Sequence, residues 1–441
     1  MRDNGIDVLV IDHHEAEYES PDACIINNQL CDYPTKSLSG VGMVYKLCCY
    51  IDQFLPDCEK CADEFRDLVS LGLISDMMPL IDFETRHLVD TGLMKLNNGF
   101  FKHMAAKQAF SLKGELTPFG IAFYITPYIN ATIRAGTLEE KYLLFESMLD
   151  HRGNEKVPST KRGHAPGEEE SIIEQACRNS TNIKNRQSKA EETNLEIIER
   201  KIEENNLLQN KILIVKFSES DNINKNLTGL FANQLMAKYH RPVLLLSEHE
   251  GNWEGSARGI SNTSFDSFKD FINSSNLANW AQGHANAFGA SFTEENLNNF
   301  IFYTNDRLKE CDFSANYKVD FIYNCSDNFG PDVLKISEYK SIWGQGIEEP
   351  YIAIENIKIT PDNIKLMAED RNPTLRIDLP SGVSLIKFKS NREEFEKLKP
   401  EEGYISINIV GRCEANVWNG KISPQITIKD FEITSYSKFY F

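Results

Sequence analysis

The chain is expected to fold as α/β, with a parallel sheet, a long connecting helix, a second α/β unit and a C-terminal β-barrel. Three observations predict this. A β-type run, Ile6 to Ile11 (IDVLVI), ends in Asp12-His13-His14. A stretch of 39 residues, Glu168 to Asn206, contains neither Pro nor Gly. From about Lys318 onward, short apolar runs recur between turn residues. Strands interleaved with helical patterns argue for α/β layers, and many short strands in series argue for a small barrel.

Taken in order, Ile6 to Ile11 reads as a buried strand. Gly40 to Leu55, Ala62 to Leu73 and Glu84 to Leu96 carry helical periodicity. His151 to Gly167 (HRGNEKVPSTKRGHAPG) is polar, holds Pro and Gly, and reads as a mobile loop or a boundary. Glu168 to Asn206 has many charges and only sparse apolar positions, such as Ile172, Ile183, Ile198 and Ile202. That predicts a long, mostly exposed connecting helix. A second α/β unit begins at Lys211: strand Ile212 to Phe217, helix Leu227 to Tyr239, strand Pro242 to Leu246, then helical Phe265 to Ile272 and Glu294 to Leu308. Runs such as YIAIENIKI, YISINIVGRC and QITIKDFEI make up the strand-rich end. The expected divisions are 1–150, 151–207, 208–310 and 311–441.

A length of 441 residues suits about three domains. Hydrophobic residues at 41% and charged residues at 25% are those of a globular protein, and no run of 18 apolar residues or signal peptide stands out. The expectation is a cytoplasmic protein without membrane contact. Ten scattered cysteines suit a reduced compartment. Cys58 and Cys61 form a CxxC without a second ligand pair at zinc-like spacing, so they read as helix-borne thiols. A net charge of −18 argues against a protein that coats nucleic acid by bulk charge, but it leaves room for a local basic groove. Arg178 to Lys189 holds four basic residues and no acid, which fits a solvated helix face better than a DNA contact.

The chemistry concentrates at the end of the first strand. Asp12, His13 and His14 together offer carboxylate oxygen and imidazole nitrogen, a donor set suited to a divalent ion such as Mn²⁺. Asp76, in SLGLISDMMPL, closes an apolar helix 62 residues after His14. Alone it reads as an ordinary helix-end acid. Across a helical unit, it suits delivery to the same sheet edge, where open α/β sheets place their sites.

These residues resemble the DHH phosphoesterase superfamily, and later segments narrow the resemblance to the RecJ-like single-strand DNA exonucleases. The family's segment after DHH is matched by Tyr33-Pro34-Thr35-Lys36-Ser37-Leu38-Ser39-Gly40-Val41-Gly42, and its fourth acidic motif by Ser75-Asp76-Met77-Met78-Pro79-Leu80. Pro127-Tyr128-Ile129-Asn130-Ala131, with Arg134 and Gly136, follows the next motif, Tyr128 standing where the family has Arg. The DHHA1 features take the form Gly255-Ser256-Ala257-Arg258 and Gln282-Gly283-His284 through Gly289, with Gln282 in place of the first Gly. Trp343-Gly344-Gln345-Gly346, Glu349-Pro350, and Asn416 to Gly420 followed by Gln425 to Ile428 resemble the family's last region, which ends in an OB-fold.

The resemblance implies a metal-dependent 5′–3′ single-stranded DNA exonuclease of DNA repair or recombination, with a two-metal centre of Mn²⁺ or Mg²⁺. His13, Asp76 and Asp12 would ligate metal, and Asp12, His13, His14 and Asp76 would form the catalytic group. Arg134, Ser256, Arg258 and His284 would meet phosphates. Trp343 and Trp418 read as barrel-core residues, with base stacking the alternative. The family's first two acidic motifs, which precede DHH, have no counterpart before Asp12. A truncated gene product, a split enzyme completed by a separate N-terminal polypeptide, or a chain without catalysis would each explain this. Single-stranded DNA is the expected partner, with that polypeptide or a single-strand-binding protein beside it. The alternatives are a non-catalytic single-strand-binding or replication-scaffold protein, and a small-substrate DHH phosphodiesterase, which would have no use for a strand-gripping barrel.

Overall fold

The computed structural model describes residues 5–14, 20–55, 61–260, 266–313 and 316–437. Strand β1 (Leu9–Asp12) pairs in parallel with β2 (Cys24–Asn27), which sets Asp12 opposite Asn27. A run of helices follows: α1 (Gly40–Asp52), α2 (Arg66–Ser75), α3 (Phe83–Met94), α4 (Gly99–Lys107), α5 (Ala109–Leu112), α6 (Pro118–Tyr124), α7 (Thr126–Ala135), α8 (Leu138–Ser147) and α9 (Asp150–Gly153). Their starts are written in the sequence. The side chains of Ser39, Asn98 and Thr117 accept the N–H groups of Gly42, Phe101 and Gly120, and Pro118 stands at the first helical position of α6. Leu73, Phe100, Phe101, Met104 and Ile121 lie fully buried in the core beneath them. Helices α2 and α3 meet at Gly92, where a Cβ would lie 2.2 Å from the Arg66 carbonyl oxygen.

Two expectations need correction next. The polar stretch before residue 168 is not simply a loop. It contributes β3 (Lys156–Pro158), which pairs with β4 (Glu169–Ser171). The Glu170 side chain, 0% exposed, takes the Arg178 guanidinium and the Thr160 N–H and so ties the segment down. Helix α10 (Ile172–Glu204) is long, as expected, but not mostly exposed. Ile172, Ala176, Ile183, Gln187, Asn194, Ile198 and Ile202 form a buried stripe along it, whose polar members disguise it in the sequence.

The second α/β unit holds β5 (Leu213–Phe217), α11 (Thr228–Tyr239), β6 (Val243–His249), β7 (Asn252–Arg258), α12 (Phe268–Ser274), β8 (Trp280–His284), β9 (Ala287–Thr293) and α13 (Glu294–Arg307). The sheet order is β5-β6-β7-β9-β8, parallel only between β5 and β6. Alternation along the strands sorts its two faces. Ala257, Phe288, Ala290 and Phe292 pack with Phe268 and Phe300 on one face, while Leu213, Val215 and Leu245 pack with Phe231 and Leu235 of α11 on the other.

The last region comprises β10 (Phe321–Asn324), α14 (Gly330–Ser337), β11 (Ile352–Ile359), β12 (Ile364–Met367), β13 (Thr374–Asp378), β14 (Ser384–Lys387), α15 (Arg392–Leu398), β15 (Tyr404–Trp418) and β16 (Lys421–Ser437). Its strands form one seven-stranded sheet, ordered β10-β11-β15-β16-β14-β13-β12, with Ile405, Ile407 and Ile409 facing the core. Register shifts at Ile354/Ile357 and Val410/Gly411 bend it. Trp418 is not a core residue. It stands 73% exposed beside the turn of the β15–β16 ribbon, where Asn419 and Gly420 take positive φ. Trp343 is half-buried. Cys61 is disulfide-bonded rather than a helix thiol, and Cys58 lies outside the described residues. The chain divides into two compact units, one of Met1–Asn130, Leu138–Arg178 and Tyr317–Phe441, the other of Ala131–Thr137 and Asn179–Asn316. No described helix is long and apolar enough to cross a membrane.

Candidate functional site

In the first unit, β1 ends at Asp12 and the chain behind it is held open by side chains. Asn27 donates to the His14 carbonyl at 2.9 Å and accepts the Gln29 N–H at 2.8 Å. The Gln29 amide donates to the carbonyls of His13 (3.2 Å) and Lys36 (2.9 Å). The Lys36 ammonium donates to the Asn28 and Cys31 carbonyls, both at 2.5 Å. These bonds fix the backbone at His13 and His14 without using their rings.

The four residues singled out in the sequence meet here. The His13 side chain is 14% exposed, and its Nε2 lies 3.3 Å from Asp76 Oδ2. His14 Nδ1 lies 2.8 Å from Asp12 Oδ1, and the two imidazole centroids are 4.4 Å apart. The hydrogen bond from the His14 ring holds the Asp12 carboxyl below its usual value, and the same bond raises that of His14. Asp76 caps α2, and Met77, at φ 57°, turns the chain sharply away. The exit is strapped down by the segment around Gln345. The Leu80 N–H donates to the Gln345 carbonyl at 2.7 Å, and Arg86 links the Leu80 and Ile342 carbonyls. Gly344 allows this approach, since a Cβ there would lie 2.5 Å from Leu80 Cδ1.

Asp12, His13 and His14 each offer a ligand atom, all within 4.8 Å of one another. They make a mixed oxygen and nitrogen set suited to one divalent ion, with water to fill its remaining positions, and Asp76 reaches this set through His13. Two ions about 4 Å apart need bridging and terminal carboxylates beyond these, and among the described residues no other such cluster supplies them.

A second site lies within the other unit. A pocket of about 500 Å³ is lined by Arg134, Lys225, Thr228, Gly229, Leu230, Asn233, Ser256 and Arg258, none of them acidic. Ser256 and Arg258 are two residues apart on β7 and so share a face. The N-terminus of α11 lies over that face. Thr228 Oγ1 is 3.0 Å from Ser256 Oγ and donates to the Lys225 carbonyl at 2.9 Å. A Cβ on Gly229 would lie 2.6 Å from Arg258 Nη2. Burial, and then repulsion from Arg134, pulls Arg258 below its ordinary value. Two guanidiniums and an ammonium at a helix N-terminus are built to receive an anion.

Arg134, Ser256 and Arg258 were legible in the sequence; Lys225, Thr228, Gly229 and Asn233 were not. His284 does not line this pocket. It pairs with Ala287, which pairs with Arg258, so it stands exposed two strands away.

Comparison with known proteins places this geometry. A DHHA1-domain family model matches residues 209–310, and a RecJ OB-domain model matches residues 325–430. The putative SPbeta prophage-derived single-strand DNA-specific exonuclease YorK of Bacillus subtilis (strain 168) is 35% identical over 439 residues, covering 98% of this chain and 75% of that protein. The chain belongs to the RecJ-like family. The RecJ of the same bacterium, named a single-stranded-DNA-specific exonuclease, is 26% identical and covers 99% of this chain, which spans 52% of it. The crystal structure of RecJ in complex with Mn²⁺ from Thermus thermophilus shares the fold, with TM-score 0.69 at 19% identity, over 99% of this chain and 59% of that one. The anion pocket draws on the DHHA1 match for all of its lining except Arg134, which lies outside it. The Asp-His-His end lies before both models, inside the span shared with the RecJ relatives.

Proposed function

We propose that this chain carries the hydrolytic and strand-gripping parts of a metal-dependent 5′–3′ exonuclease of single-stranded DNA. The observation that carries the reading is that Asp12, His13 and His14 cluster while Asp76, from a segment 62 residues further on, reaches His13. Asp12, His13 and Asp76 would hold a divalent ion, Mn²⁺ or Mg²⁺. His14 would orient Asp12 through their shared hydrogen bond. When bound, such an ion lowers the pKa of a coordinated water and neutralises charge on a phosphodiester. Arg134, Ser256 and Arg258, with Lys225, would take the phosphate of a strand end, and His284 a phosphate further along. The working divisions are 1–150, 151–207, 208–310 and 311–441.

The donor set accommodates one ion where two-metal hydrolysis needs two. A separate polypeptide that adds carboxylates would complete it. The exposed Leu9 and Val10, on a strand that among the described residues pairs with β2 alone, and the exposed Ile6 before it suit such an addition. The same shortage favours the second reading, a single-strand-binding protein without hydrolysis. The setting is cytoplasmic DNA repair or recombination, or replication of a mobile element. The test is release of nucleotides from labelled single-stranded DNA with Mn²⁺, for the chain and for His13→Ala. Cleavage lost in the variant supports the exonuclease. Binding without cleavage, unaffected by His13→Ala and by added candidate polypeptides, establishes the second reading instead.

A further inference from the structure

Trp280 opens β8, the edge strand of the second unit's sheet, and sits opposite Ser291 of β9. By alternation it points away from the face packed by Phe288, Ala290 and Phe292. Its neighbours on its own side are polar, since Ser291 Oγ donates to Glu254 Oε1 at 3.0 Å and Asn279 donates to Asn252 and Ser291. The ring lies over Gly289, where a Cβ would be 3.1 Å from Cζ3 and 3.4 Å from Cη2. Glycine there lets the six-membered ring rest on the backbone. The indole remains 38% exposed. A large aromatic with no core to join is out of place on such a surface unless something covers it.

What lies beside it identifies the cover. Gly289 is the cross-strand partner of Ser256, so the ring sits one strand spacing, about 5 Å, from the edge of the anion pocket. A nucleotide whose phosphate meets Ser256 and Arg258 carries its base one sugar away, a span that matches this spacing. We propose that Trp280 is the platform on which the base of the terminal nucleotide stacks while its phosphate occupies that pocket, an inference that rests on reading the pocket as a phosphate site. Every base has a π-face, so the contact grips without selecting sequence.

The experiment compares two 5′-phosphorylated single-stranded oligonucleotides, one ordinary and one with an abasic first nucleotide, bound to the full chain in EDTA. Trp280→Ala should weaken the ordinary strand about tenfold and the abasic strand hardly at all. Trp280→Phe should restore most of the difference and so exclude misfolding as the cause. Equal losses on both strands, or no loss on either, overturn the stacking role. Arg258→Ala tests the underlying reading separately. It should weaken both strands alike, and if it weakens neither, the phosphate pocket fails and the stacking proposal with it.

Discussion

Gly229→Ala should separate stability from binding in one substitution. Gly229 is the second residue of α11 and does not have positive φ, so its backbone accepts alanine. Alanine is the better helix former by up to about 1 kcal/mol, less in a first turn. The fold should therefore hold or gain slightly. The new Cβ, however, would sit 2.6 Å from Arg258 Nη2, while non-bonded heavy atoms settle at about 3.5–4 Å. The guanidinium must move by roughly 1 Å or more. Its Nη1 already donates to the Ala257 carbonyl at 2.7 Å, so the shift either breaks that anchor or swings the fork off the anion. Losing one charge-assisted hydrogen bond costs about 1.5–3 kcal/mol, or roughly tenfold to a hundredfold in Kd. Fluorescence anisotropy with 5′-phosphate and 5′-hydroxyl strands reads the binding, and urea denaturation reads the fold. Undiminished affinity for the phosphorylated strand in a folded variant would refute the reasoning. So would an equal loss for the hydroxyl strand, because the argument concerns only the terminal phosphate.

Gly92→Ala should act in the opposite way, because its Cβ would meet the Arg66 carbonyl and Ser70 Oγ where α2 and α3 cross; a loss of about 2 kcal/mol in urea denaturation is expected. Burial alone would raise the Glu170 carboxyl, but hydrogen bonds from Arg178, Gln175 and the Thr160 N–H bring it down to about 2 from 4.5. Its stabilisation is therefore complete above pH 4.5 and lost as pH falls toward 2. Glu170→Gln should lower stability at pH 7 by about 3 kcal/mol and flatten the acid limb of a pH–stability curve, since Arg178 loses its partner. Lys225→Ala removes one cation of the pocket. It should weaken single-strand binding at low salt and make the slope of log K against log salt shallower by about 0.7, as measured by titrations across a salt series.

What the sequence revealed and concealed divides along physical lines. Asp12, His13 and His14 were legible because a strand end keeps neighbours together whatever packs around it. Asp76 alone read as an ordinary helix-end acid, and only its place across a helical unit and its resemblance to the family's fourth acidic motif singled it out. Ser256 and Arg258 were found through the resemblance of Gly255-Ser256-Ala257-Arg258 to the family's motif, and their two-residue spacing on β7 is what puts them on one face. Gly229 left no local sign. Its approach to Arg258 is set by Phe231 and Leu235 packing α11 onto Leu213, Val215 and Leu245, a tertiary fact. His284 shows what a motif leaves open: strand register puts β9 between it and Arg258, so it stands outside the pocket. In α10, Gln187, Glu191 and Asn194 are buried polar residues, and composition alone assigns such residues to solvent.

The two sites differ in completeness, and this yields the last prediction. Every group lining the anion pocket comes from the second unit of this one chain. The Asp12, His13 and His14 cluster, read as a metal site, offers donors for one ion, while two-metal hydrolysis calls for a second set. Grip should therefore be independent of metal, and hydrolysis should not. Chelation with EDTA is expected to leave the Kd for 5′-phosphorylated single strands within about twofold, because cationic side chains and not a bridging ion meet the phosphate. His13→Ala should leave it equally unchanged while removing whatever Mn²⁺-dependent cleavage the chain displays. Anisotropy in EDTA and in Mn²⁺ measures the first, and nucleotide release measures the second. A loss of affinity of about tenfold on chelation would mean that the metal itself holds the strand, and the separation of grip from hydrolysis argued from these two donor sets would fail.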